Sequence, residues 1–142
     1  MSLARYLLLL SACGLAVLAG CVHEPSTEKV LRVTDSVLTS GDNIAHGDKS
    51  PVQTFSTSDL VVAQVVFEWD AVKKSAGQHS VEWNWYQGND IVSRSEKSVE
   101  FKTTPFTLTS SRQASSLGTG HFRVETVVDG VIESTSEFDI LP

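Results

Sequence analysis

Cysteine is nearly missing from this chain of 142 residues: the only two are Cys13 and Cys21. No disulfide can therefore form within residues 30–142, and zinc held by thiolates is excluded there as well. Basic charge is also thin, with 11 Lys and Arg against 17 acidic residues and a net charge of −6. No basic cluster exceeds the pair Lys73-Lys74. Such a chain repels phosphate backbones, which argues against nucleic acid and anionic head groups as partners. Sequence signs of catalysis are missing too. There is no Gly-x-Ser-x-Gly elbow, no His-x-His and no His-Glu-x-x-His. Gly118-Thr119-Gly120 precedes a strand, so no helix terminus follows it to hold a phosphate. His23, His46, His79 and His121 lack metal-ligand spacing and read as solvent-facing residues of loops and strand starts. No enzyme activity, metal or cofactor is expected.

One long apolar run is present, at residues 6–18, preceded by Arg5 and followed by Ala19-Gly20. At about 1.5 Å per residue it is too short to cross a hydrocarbon core of about 30 Å. A positive start, an apolar core and small residues at its end are the marks of a secretory signal. Leu18-Ala19-Gly20-Cys21 resembles the lipobox of bacterial lipoprotein precursors. That resemblance implies cleavage before Cys21, a diacylglycerol thioether on its sulfur and acylation of the new amine. Leu10-Ser11-Ala12-Cys13 fits the same pattern. Use of Cys13 would leave an apolar core of only about five residues, where about 7–15 are usual. Two or more acyl chains hold a protein durably on a bilayer, where one does so only marginally. The expected product is a soluble domain on the membrane through the lipid of Cys21. Val22 follows where the family's inner-membrane signal would be Asp, which favours the outer membrane, facing the periplasm.

Loss of residues 1–20 removes Arg5 and makes the remainder slightly more acidic. Residues 21–29 carry the lipidated cysteine and a polar, Pro25-containing tether, and residues 30–142 suffice for one core. That stretch shows no helical periodicity of useful length. It consists of short alternating runs set apart by Gly, Asp, Asn, Ser and Pro, the pattern of an all-β domain. Strands are expected at residues 30–38, 60–69, 79–86 and 91–95, around Val99 and Phe101, at 106–109, from Phe122 to Val128, and at 131–141. Residues 39–58 form a long polar stretch with room for a short strand near 52–55. Leu60 begins the strongest strand, apolar on both faces at its start, so it should be central and covered. Asp129-Gly130 between alternating segments predicts a type I′ hairpin, whose two central residues need positive φ. Seven or eight such strands predict a two-sheet antiparallel sandwich, because each sheet's apolar face must be covered.

Leu117-x-x-Gly120-x-Phe122-x-Val124 resembles the E–F corner and F strand of immunoglobulin-like domains. The resemblance implies that Trp83 or Trp85 is the strand-C tryptophan, with Val65 and Val124 where the two cysteines usually stand. The corner tyrosine is replaced by Phe122. Residues 83–140 are also similar to uncharacterised bacterial immunoglobulin-like domains. Neither likeness implies an activity.

The candidate binding residues are Trp83, Trp85 and Tyr86. Strict alternation sends both tryptophans into the core and leaves Tyr86 showing. An outward tryptophan would instead give a platform for a sugar ring or a partner's apolar side chain. The expected role is that of a non-enzymatic envelope lipoprotein, making contact with an envelope protein or scaffolding it, through an exposed strand edge that accepts another strand. The alternatives are a glycan-binding module and an inhibitor of a hydrolase that uses residues 39–58.

Overall fold

A computed structural model describes residues 31–142 except 71, 73 and 74. Residues 1–20, Cys21, the tether and Val30 lie outside the described residues.

Eight strands and two short helices follow in order: β1 (Leu31–Ser40), α1 (Gly41–Ala45), β2 (Thr54–Ser56), β3 (Leu60–Trp69), β4 (Gly77–Gln87), β5 (Asp90–Phe101), β6 (Phe106–Gln113), α2 (Ala114–Leu117), β7 (Gly120–Val128) and β8 (Val131–Leu141). They build two sheets, β1-β3-β6 and β2-β8-β7-β4-β5. The fold is thus the expected all-β immunoglobulin-like sandwich. All neighbours are antiparallel except β2, which runs parallel to β8 over residues 54–56 and 139–141. β2 belongs to the second sheet although β1, just before it, belongs to the first, so residues 46–53 carry the chain across one side of the sandwich.

The core follows from alternation. Val61, Ala63, Val65, Phe67 and Trp69 on β3 face Val81, Trp83 and Trp85 on β4, Phe122 and Val124 on β7, and Phe138 and Ile140 on β8. All are buried. β3 is central in its sheet, and its second face is covered as well, since Val62 and Gln64 are also buried. Val65 and Val124, which the immunoglobulin resemblance places where the two cysteines usually stand, are both core residues. Phe122 stacks on Phe138 at 5.5 Å between ring centres, so the corner position serves packing where a tyrosine would make a hydroxyl bond.

Several details differ from the sequence expectation. Residues 91–101 form one continuous strand, β5, because it is an edge of its sheet and tolerates the polar run Ser95-Glu96-Lys97-Ser98. Residues 102–105, with a cis Thr104-Pro105 bond, mark the passage from the second sheet to the first. The long polar stretch 39–58 contains the end of β1, then α1 and β2. The Ser40 side chain caps α1 by accepting from the Asn43 N–H at 3.1 Å. At five residues, α1 is too short to leave a periodicity.

The Asp129-Gly130 turn has φ of 49° and 82°, as its sequence predicts. Asp129 also anchors β4. Its carboxylate accepts from the Ser80 N–H at 2.9 Å and meets His79 Nδ1 at 2.6 Å. The other ring nitrogen of His79 lies 3.0 Å from the Ala76 carbonyl. Both neighbours are acceptors, so the imidazole satisfies them together only when doubly protonated. Burial pushes the His79 pKa down, but the Asp129 bond, the Ala76 carbonyl and the Asp129 charge outweigh it and hold it above 6.5. The His79 bond in turn lowers the Asp129 carboxyl. A raised folded-state pKa adds stability below the unfolded value of about 6.5, and this is lost as pH rises through the folded value. The melting temperature is therefore expected to fall between pH 6 and pH 8.5, and this fall should be smaller in His79→Gln. Equal pH dependence in both proteins would refute the linkage.

Candidate functional site

A sandwich has two lateral sides where its sheets end, and here they are built differently. On one side the edges are β5 and β6. Lys97 on β5 lies opposite Val81, and Arg112 on β6 opposite Val61. Both partners point into the core, so both cations point inward. Lys97 Nζ sits 5.8 Å from the Trp83 ring centre and the Arg112 guanidinium 5.7 Å from that of Trp85. Arg112 Nε donates to Ser93 Oγ at 2.6 Å, and the Ser95 and Ser110 hydroxyls meet at 3.2 Å. Inward-pointing charge is a device that keeps an edge from accepting a further strand, because pairing would bury it.

The other side carries no such guard. The inward residues of β1 there include Val33, Ser36 and Leu38, and those of β8 include Ser134 and Ser136. Ser36 and Ser134 join the two strands through their hydroxyls at 3.1 Å. A cleft of about 390 Å³ opens beside them, lined by residues 35–38, Lys49, residues 51–53 and residues 135–137. The crossing segment closes its far end. Val52 N–H donates to the Leu38 carbonyl at 2.7 Å, and Asp139 N–H donates to the Gln53 carbonyl at 2.9 Å. Among the described residues, no strand pairs with β8 on this side before Asp139. Backbone groups along a strand point alternately to its two sides. Since the Asp139 N–H points to the β2 side, the N–H and C=O of Glu137 and Thr135 point there too, into the open cleft.

The tryptophans proposed as binding residues are elsewhere. Trp83 and Trp85 are fully buried, so the two rings form no surface platform with Tyr86. Their spacing of two residues on an alternating strand sets both on the core face. Tyr86 lies on the opposite, outer face of β4 and is half-buried. The Arg123 guanidinium covers its ring at 4.3 Å. Burial, then the bond to Glu125, raise the phenol above its usual pKa. The neighbouring polar groups are engaged as well: Arg94 donates to Asn84 Oδ1 at 2.8 Å, and Asn84 donates to Glu82. This face is thus internally paired. Residues 39–58 do not form one long free loop either, since the end of β1, the capped helix and β2 occupy half of them.

Cys21 lies outside the described residues. Among the described residues, no group of three or more His, Cys, Asp or Glu is arranged to hold a metal ion, and no helix is long and apolar enough to cross a membrane. His121 is an exposed partner of Asp139 at 2.9 Å.

The likeness to known proteins is one of fold. No family model and no curated protein match the chain. Among solved structures, it is similar to a Pseudomonas fluorescens alkylpurine DNA glycosylase bound to DNA (TM-score 0.55, 8% identity, 80% of this chain, 31% of that one). It is also similar to a Listeria innocua beta-glucosidase in complex with glucose (TM-score 0.51, 11% identity, 76% of this chain, 16% of that one). An immunoglobulin-like protein of Pseudomonas aeruginosa aligns at TM-score 0.46 and 9% identity, over 78% of this chain and 96% of that one. The chain spans under a third of either enzyme, and those activities stay with those proteins.

The open side was legible in sequence only as a class, an exposed edge. The guards of the opposite, β5/β6 side left a sharper signal. Lys97 shares the parity of Val99 and Phe101, a charge where alternation calls for an apolar side chain.

Proposed function

We propose that this protein is a lipid-anchored lipoprotein of the bacterial cell envelope, held on the membrane through Cys21. Its sandwich takes a protein partner by strand addition along β8. The observation that carries this reading is the asymmetry of the two sides: inward cations block one, while the other presents free backbone groups in a cleft. The lipobox motif and the polar tether support the anchor, and the outer membrane facing the periplasm is the location that Val22 favours.

Two experiments test the two halves. Labelled palmitate is expected to enter the wild type and not Cys21→Ala; equal labelling of both would end the anchor reading. For the edge, a photoreactive residue at Gln53 is expected to cross-link the partner in intact cells. Thr135→Pro removes an N–H that faces the cleft and is unused by the fold, and proline is tolerated where the N–H side of a strand faces solvent. It should abolish the cross-link while the melting temperature moves by only a few degrees. A cross-link that survives Thr135→Pro would show that the partner does not pair with β8.

A further inference from the structure

We infer that the β7–β8 hairpin end of the sandwich contacts the membrane, with Val131 and Ile132 entering the interfacial layer of a lipid bilayer; this rests on the anchored reading above. Three observations converge. The chain enters the fold at this end, because Leu31 pairs with Trp69, and β1 and β8 run alongside each other from the Ser36–Ser134 contact toward the crossing segment. Nine residues separate Cys21 from Leu31. Fully extended they reach about 30 Å, and as a flexible coil about 15–18 Å. The end bearing Leu31 is therefore the one that a lipid on Cys21 holds against the bilayer.

Exposure points the same way. Among the described residues, the three most exposed large apolar side chains are Val72 at 89%, Val131 at 56% and Ile132 at 56%. Val131 and Ile132 begin β8, directly after the hairpin turn. Val72 lies between the last residue of β3 and the first of β4, the same end. Isolated exposed apolar residues need no explanation, but their gathering at the tethered end does.

The third observation is electrostatic. The one charge in the hairpin turn, Asp129, is bound to His79 and to the Ser80 N–H. The tip Gly130-Val131-Ile132 itself carries no charge, so it can approach lipid without stripping water from an unpaired carboxylate. The contact is apolar, so a net negative chain needs no anionic lipid for it.

Since Cys21 is consumed by lipid, one cysteine introduced on the surface carries a single environment-sensitive fluorophore. Val131→Cys and Leu141→Cys are compared in the lipidated protein reconstituted into phosphatidylcholine vesicles. Leu141 is similarly exposed, at 53%, and lies at the opposite end of β8. Emission at position 131 is expected to shift to the blue and to be quenched by brominated acyl chains, with neither effect at position 141. Equal, water-like emission at both positions overturns the inference. A second arm separates it from the anchor: a hexahistidine in place of residues 1–21 tethers the chain to nickel-chelating phosphatidylcholine vesicles. Quenching at 131 there supports the contact even if palmitate labelling of Cys21 fails, and its absence in both arms refutes the contact even if labelling succeeds.

Discussion

Replacing Phe101 with alanine is expected to cost about 3–5 kcal/mol, the range for deleting a fully buried phenylalanine. Phe101 closes β5 and is completely buried. Its ring makes edge-to-face contacts with Phe67 at 5.1 Å, Trp69 at 6.0 Å, His79 at 5.6 Å and Phe106 at 5.4 Å. These partners come from β3, β4 and β6, so one side chain joins both sheets at the end where Leu31 begins β1. Aromatic pairs add about 0.5–1.5 kcal/mol each beyond the area they bury. The surrounding rings are large and stiff, which limits how far they can collapse into the vacated space. Domains of this size hold about 5–15 kcal/mol in all, and no disulfide within residues 30–142 can make up the loss. Urea denaturation should show a midpoint far below that of the wild type, with Phe101→Leu in between. A loss under about 1 kcal/mol would show that the site relaxes, and that the ring is not the keystone its contacts imply.

Exchanging both Lys97 and Arg112 for leucine is expected to make the protein associate with rising concentration more strongly than the wild type does. The two cations lie over the rings of Trp83 and Trp85 and guard the β5/β6 side. Leucine at both positions would leave these rings beneath an apolar rim flanked by two unpaired strand edges, the arrangement that recruits a second chain. Sedimentation velocity across a concentration series reads the effect directly. Lys97→Arg with Arg112→Lys keeps the charge and should sediment like the wild type. If the double leucine variant sediments like the wild type at every concentration, the cations are not what keeps that side unpaired.

The sequence revealed most where a strand is half-covered or has a diagnostic turn. β8 has the expected bounds because its alternation is uninterrupted, β3 because its mainly apolar run is bounded by Asp59 and Asp70, and the Asp129-Gly130 turn because its chemistry is local. Alternation along β4 sends Trp83 and Trp85 into the core, where both are buried, with Tyr86 on the other face. The sequence pattern divides β5 into two pieces because an edge strand needs no apolar residue at each inward position, and polarity there mimics a turn. The short helix α1 was invisible because a single capped turn has no period. Which edge lies open depends on β2 leaving the first sheet for the second, a long-range pairing of residues 54–56 with 139–141 that no local pattern encodes. The chemistry of Cys21 rests on the motif alone.

The crossing segment also acts as a ruler. An incoming strand that follows β8 from the hairpin meets residues 51–53 where Asp139 bonds to Gln53, so it has room for about seven residues, or about 23 Å at about 3.3 Å each. The complementary motif in a binding protein should therefore be a short extended peptide, ended by a turn or a bulky residue where it reaches Pro51 and Val52.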